Sequence, residues 1–422
     1  MDKQINIGIT SEIDPLKAVI LHTPGPEVEN MNPENAERAL YSDILNLSVA
    51  RKEYGQFRQV LDQFAHTIEV SDLLKDVLEL PAAREELILS IAGETYNKRL
   101  IKRLEQLSTQ ELSLALIEGL NKCNDTLTDF LRKGRYSLKP LHNFFFTRDS
   151  AVVYGNDVIM SRMASKVRSR EASIMDVIFN YHHLFKKATL SPEKETTGFE
   201  DIRYEGGDIL IAREDILIVG NGLRTSTQGI DFIIDKVKAQ GEKKYILVQE
   251  LPIEPESFIH LDMVFTFLDK NQCMIFEPVI LNSNKYHTVL ISLENGKANK
   301  IEYVPDLLAG LKKLGMDMEP VFCGGTKDIW IQEREQWHSG ANFFTLAPGK
   351  VMGYGRNVHT MEEINRHGFE ILRAKDIIGN KVSVEDYKKF VVALEGSELA
   401  RGGGGARCMT MPISRENSIS PQ

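Results

Sequence analysis

Beyond residue 150 the chain repeats one texture, a short apolar run, a polar turn, and a second short apolar run. AVVYGNDVIMSR, GDILIAREDILIVG and DMVFTFLDKNQCMIFEP carry both halves; YILVQELP, TVLISLENGK and KVMGYG carry one. Runs of β-branched and aromatic residues bounded by turn formers are buried strands, and two of them across a polar turn make a hairpin. Helical patterns lie between them. The expectation is an α/β fold whose core is built from repeated ββαβ-like modules. Near the N-terminus, LKAVILH (residues 16–22) before Pro24-Gly25-Pro26 is a further buried strand and turn, and residues 35–63 read as a helix.

Residues 71–134 break this pattern. They are dense in Leu, Glu, Lys and Arg, with apolar residues at helical spacing: Leu73, Leu74, Val77 and Leu78, then Leu100, Ile101, Leu104 and Leu107. Pro81 suits a first helical turn, Ser108 with Glu111 forms a capping box, and Gly134 suits a helix stop. This predicts an all-helical bundle over residues 71–138, inserted into a catalytic α/β domain made of 1–70 and 139–422.

Lys and Arg number 51 against 60 Asp and Glu, a formal charge of −9, which speaks against a nucleic-acid or anionic-membrane surface. No apolar run approaches the ~20 residues of a membrane span, and the first residues lack the regions of a signal peptide. A cytoplasmic protein is expected. Its four cysteines (Cys123, Cys273, Cys323, Cys408) are far apart with no CxxC pair, so each thiol is judged singly.

Five polar islands interrupt the α/β texture: HNFFFTRD (142–149), KVRSRE (166–171), YEGGD with GLRTSTQG (204–208, 222–229), HLD (260–262) and ARGGGGARCMTMP (400–412). Four glycines cannot form a stable helix or strand interior, so the last island is a loop presenting Cys408. Arg401 and Arg407 flank it, and cations lower a thiol pKa toward reactive values. A small buried hydrophobe is the plain alternative, and it is preferred for Cys123 and Cys273; Cys323, in VFCGGTKD, is a weaker rival nucleophile. A cysteine nucleophile needs a proton-transfer partner. His260 and Asp262, two apart, would share one face of a strand, although a hydrogen-bonded core histidine explains HxD equally well. The ten histidines show no metal-ligand spacing. Asp149, Glu205 and Asp208 sit on short turns beside buried strands. They could hold a hard cation or grip a planar one, and a thiolate companion favours the planar one, a guanidinium.

Taken in order, these islands resemble the arginine deiminases of the guanidino-group-modifying superfamily, over nearly the whole chain. The resemblance implies a pseudo-fivefold α/β propeller with a helical domain inserted after its first module. It implies hydrolysis of free L-arginine to L-citrulline and ammonia through a covalent thiouronium intermediate, without metal or other cofactor, in a homo-oligomer (dimer or tetramer). Cys408 matches the nucleophile, His260 the general acid/base, and Glu205 and Asp262 its supporting carboxylates. Asp149 and Asp208 match the guanidinium clamps; Asn143, Arg168 and Arg224 match the residues holding the amino-acid end. The chain departs from the family pattern at Thr23 (often Arg), at Ser42-Asp43 (often two acids) and at Gly403 (often Arg). The alternatives are a sister enzyme — an agmatine deiminase, a dimethylarginine hydrolase or an amidinotransferase — and a non-catalytic arginine sensor.

Overall fold

The computed structural model describes residues 4–31, 43–95, 97–123, 125–131, 134–192, 200–281 and 285–416. Position 42 and the first part of the helix expected over 35–63 lie outside them; within them that helix runs Leu47–Leu61, started by Asn46, whose side chain accepts from the N–H groups of Ser48 and Val49.

The fold is mixed α/β. Five mixed sheets repeat one order: an antiparallel hairpin, then a helix, then a strand parallel to the second hairpin strand. In one, Ala151–Tyr154 pairs with Asp157–Met160, which pairs with Thr189–Leu190 after the helix Ser169–Tyr181. The next starts from Ile209–Arg213 and Ile216–Asn221, followed by Lys244–Glu250. It is widened by the later hairpin Thr288–Glu294 and Lys297–Val304. Then come Phe265–Asp269, Gln272–Ile275 and Glu319–Phe322, and finally Phe344–Ala347, Lys350–Tyr354 and Phe390–Leu394, with Glu370–Arg373 at the edge. The remaining sheet joins the chain's ends: Met411–Arg415 lies antiparallel to Leu16–Leu21, itself parallel to His66–Glu69.

Period-two alternation explains why these strands read as unbroken apolar runs. Successive side chains point to opposite faces, and here both faces are covered. Ala18 and Ile20 enter one apolar cluster, Val19 and Leu21 another. Ile209 and Ile211 join the first of these, while Leu210 and Ala212 join a third. Each sheet thus shares one core with the sheet on either side.

In the chain, between His66–Glu69 and Ala151–Tyr154, lie the helices Val70–Leu78, Pro81–Thr95, Lys98–Gln106, Thr109–Glu118 and Leu127–Leu131. Pro81 opens its helix, and Ser108 and Glu111 form the reciprocal capping box. An all-helical segment is expected from its Leu/Lys/Glu texture, and here the structure differs: Leu120–Asn121 pairs with Tyr136–Leu138. These strands are too short for a period to be visible in the sequence. Leu73, Leu100, Leu104 and Leu116 belong to the same cluster as Val152, Ile174 and Phe179, so the helices share their core with the neighbouring sheets. Among the described residues no helix is long and apolar enough to cross a membrane.

Candidate active site

Each repeat is led by a turn just before its first hairpin strand, and these turns meet. They are Thr147–Ser150, Gly206–Asp208, Leu261–Met263, the turn ending at Asn342, and the turn 406–409. The N–H of Arg148 donates to the carbonyl of Cys408 (3.1 Å). The N–H of Leu261 donates to Asp208 Oδ1 (2.8 Å). Asn342 Nδ2 donates to the carbonyl of Asp262 (3.0 Å), and the N–H of Cys408 to Asn342 Oδ1 (3.3 Å). The three 3-10 turns pack on one another. The paired glycines of EGGD permit this approach: a Cβ on Gly206 would stand 2.1 Å from the carbonyl oxygen of Arg148, and one on Gly207 2.6 Å from the His260 ring.

The turns bury together Cys408, His260, Glu205, Asp262, Asp149 and Asp208, with Arg168, Arg224 and Asn143 beside them. His260 Nε2 is 2.9 Å from Glu205 Oε2, and its Nδ1 is 3.6 Å from Asp149 Oδ1. Burial disfavours the imidazolium, but Asp149, Glu205 and Asp208 outweigh it and push the pKa up to about 9. Glu205 would also lose from burial; Arg224, His260 and Arg168 instead hold it below the usual carboxylate range. Asp208 accepts from Thr225 Oγ1 (2.6 Å) and the Leu261 N–H, yet burial pushes its carboxyl up to about 7. Asp149 Oδ2 takes Arg168 Nη1 at 2.7 Å, whereas its buried Oδ1 accepts no hydrogen bond among the described residues.

Three expectations are corrected. His260 is extended and Asp262 lies in a 3-10 turn, so they do not share a strand face; Glu205 orients the ring, and Asp262 faces the thiol, Oδ2 being 3.8 Å from Cys408 Sγ. The thiol is not lowered by its flanking cations. Burial, then Asp262 and Asp149, hold it well above its ordinary value. Arg407 cannot reverse this because its guanidinium is spent on Asp262 Oδ2 (2.8 Å), Glu12 (3.0 Å) and the carbonyl of Ile209 (2.8 Å). Arg401 is half-exposed and pairs with Asp43 and Glu398. Finally, Arg168 does not offer an open fork: Glu171 takes it bidentately (2.7–3.1 Å), Asp149 takes Nη1, and the carbonyls of Phe146 and Asn143 share Nη2. Arg224, also buried, has one long contact among the described residues, to Glu205 (3.5 Å).

Cys323 lies apart from this cluster, where burial pushes its thiol up to about 12. Thr23 gives its N–H and hydroxyl to Glu69 (both 2.8 Å), and the guanidinium on Glu69 comes from Arg58 (2.9 Å). Gly403 has φ +83°, a region strained for any L side chain, so this loop backbone suits the glycine found there. Asp149, Glu205 and His260 have ligand atoms within 4.8 Å of one another, a set that could hold a metal. Arg168 Nη1, 2.7 Å from Asp149 and 3.9 Å from Glu205, already supplies positive charge there, which favours an organic cation with N–H donors over a divalent ion. Asn342, Thr225, Glu171 and Glu12 were missed in the sequence. Glu171 and Thr225 lie inside islands the sequence already marks, and Asn342 had a signal in its place just before an apolar strand, matching the places of Asp149, Asp208 and Asp262; Glu12 had none.

The chain is similar to several known proteins. The family profile described as Arginine deiminase matches residues 37–415. The arginine deiminase of Mycoplasma capricolum is 30% identical over 99% of this chain and 98% of its own length. That of Streptococcus pneumoniae is 33% identical over 97% and 98%. Among solved structures, an amidinotransferase from Microseira wollei superposes with TM-score 0.54 at 12% identity, covering 99% of both chains. The N-terminal domain of a cyanobacterial arginine dihydrolase gives 0.52 at 14% identity, over 94% and 98%.

Proposed function

The chain belongs to the arginine deiminase family and is a hydrolase that converts L-arginine to L-citrulline and ammonia; from that premise we propose that Cys408 is the nucleophile, His260 the acid/base, and Asp149 and Asp208 the guanidinium clamps. The observation that carries this assignment is the orphan Asp149 Oδ1, a buried carboxylate oxygen that accepts no hydrogen bond among the described residues, beside His260 and in the same cluster as Cys408. Such an oxygen is costly unless a ligand N–H satisfies it.

A guanidinium in that cluster changes the balance at the thiol. Its charge offsets Asp262 and Asp149, so sulfur gives up its proton to solvent as the substrate binds. Held by two carboxylates, the guanidinium carbon faces Sγ, a gain from orientation. Attack of thiolate on a cation neutralises charge, so an oxyanion hole is not needed. Imidazolium His260 gives its proton to the leaving nitrogen, ammonia departs, and an amidino group remains on sulfur. Neutral His260 then takes one proton from water as the oxygen bonds to the same carbon; the carbon–sulfur bond breaks, the remaining hydroxyl proton passes to sulfur, and citrulline leaves with thiol and imidazolium restored. Glu205 orients the ring; Asp262 and Arg407 brace the thiol. No step calls for a metal or other cofactor.

At the amino-acid end, Arg224 and Asn143 hold the α-ammonium and α-carboxylate region, with Arg224 the primary carboxylate ligand. Arg168, engaged by Glu171, chiefly fixes Asp149. The five repeats, with each lead-in turn bonded or packed to the next, support a pseudo-fivefold propeller, and residues 71–138 form its helical insertion. The free thiols support a cytoplasmic setting, and the edge strand Lys297–Val304, with Ile301 and Tyr303 exposed, supports assembly as a homo-oligomer. The deciding experiment is a citrulline assay with acid-quenched mass spectrometry. Added amidino mass on the Cys408 peptide is expected; turnover with no adduct at Cys408, or an adduct elsewhere, contradicts the assignment.

A further inference from the structure

Four of the five lead-in turns carry groups placed in the reaction; the remaining one ends at Asn342, which is fully buried and has no role so far. Its Oδ1 accepts from two successive N–H groups, Arg407 (2.9 Å) and Cys408 (3.3 Å), which have no other acceptor among the described residues. Its Nδ2 donates to the carbonyl of Asp262 (3.0 Å), whose carboxylate faces Sγ. The nucleophile's turn lies directly on this amide: a Cβ on Gly405 would come within 2.6 Å of Asn342 Oδ1.

We propose that Asn342 is a positioning residue of the reaction, one that fixes the Cys408 turn against the Asp262 turn and keeps the nucleophile's own N–H away from the reacting atoms. The inference rests on Cys408 being the nucleophile. Two successive N–H groups aimed at one point attract anions, and in acyl transfer such donors hold an oxyanion. Sulfur attacking a guanidinium makes no anion. Bare donors beside Sγ would instead favour thiolate before substrate arrives, exposing it to other electrophiles. A neutral amide oxygen absorbs both donors and adds no charge to a site that Asp149 and Asp262 already make anionic. Aspartate would add that charge; alanine would leave both N–H groups bare.

The test uses the full chain as wild type, Asn342→Asp, Asn342→Ala and Cys408→Ala. It measures kcat and KM for L-arginine, and the rate of Cys408 alkylation by iodoacetamide against pH without substrate. Asn342→Asp keeps an oxygen for both donors. Its alkylation profile should move to higher pH by about one unit, because a like charge opposes thiolate. Its kcat should fall about tenfold while KM stays within about threefold. Asn342→Ala should lose about 100-fold in kcat, the scale of a small misplacement of a reacting group, with its alkylation profile moved to lower pH. If Asn342→Ala fails to fold, Asn342→Asp decides alone. Wild-type kcat and an unmoved alkylation profile in Asn342→Asp, with Cys408→Ala inactive, would overturn the inference. Citrulline formation by Cys408→Ala would instead overturn the nucleophile assignment, and the inference with it.

Discussion

The two arginines near the amino-acid end look equivalent in the sequence and are not equivalent in the structure, which makes their conservative replacements informative. Arg224 is buried with a single 3.5 Å contact, to Glu205, among the described residues, which leaves most of its fork for a carboxylate. Two charge-assisted hydrogen bonds contribute about 1.5–3 kcal/mol each. Arg224→Lys keeps the charge and loses one of them, so kcat/KM for L-arginine should fall roughly 30-fold, about 2 kcal/mol. Agmatine, which has no carboxylate, should be at least ~10³-fold poorer than arginine with wild type, about 4 kcal/mol, and should scarcely respond to Arg224→Lys. Arg168→Lys acts elsewhere. It breaks the bidentate pair with buried Glu171 and loosens Asp149, so about 3–5 kcal/mol of stability should be lost, and turnover of both substrates should fall together. The assay is kcat/KM for both substrates on the three proteins, beside urea unfolding. If Arg224→Lys weakens both substrates alike, or neither, it is not the carboxylate ligand. If Arg168→Lys erases the preference for arginine without loss of stability, the two roles are reversed.

Cys408→Ala should abolish turnover yet bind L-arginine by calorimetry, because the clamps are other residues, while Cys323→Ala should retain near-normal activity. The kcat/KM profile, which reports the free enzyme, should be bell-shaped. It should fall as pH drops through about 7, where Asp208 protonates, and as pH rises through about 9, where His260 loses the proton it must donate; Glu205→Gln removes a charge that raises both groups, so both limbs should move to lower pH. His22 lies 3.3 Å from both Glu27 and Glu69; despite burial, their pairing pushes its pKa up to about 10. Since the folded value exceeds the ordinary 6.5, the contribution is complete below pH 6.5 and disappears as pH rises from there to about 10. His22→Leu should therefore cost about 3–5 kcal/mol at pH 6 and much less at pH 10, measured by urea unfolding.

Strands, helices and the polar islands were legible because each rests on local physics: period-two apolar runs, capping chemistry at Ser108 and Glu111, and glycines where no side chain fits. The site's acids and Cys408 were legible because charge at the tip of an apolar strand has no ordinary structural use. The islands' common place before a hairpin strand also follows from the order of residues, and it would have exposed Asn342 had the repeats been aligned on it.

Partnership was decided only by the tertiary structure. Arg407 is the covalent neighbour of Cys408, yet its charge goes to Glu12 and Asp262, 395 and 145 residues away in the chain, so burial and the nearby acids raise the thiol. Asp262 is two residues from His260, yet Glu205 orients the ring. Arg168 and Arg224 share a residue type, yet Glu171 occupies one and not the other. Residue type and period are properties of a segment and can be read there. Desolvation and Coulomb forces fall off with distance in space, and the order of the chain does not contain that distance until the five turns are brought together.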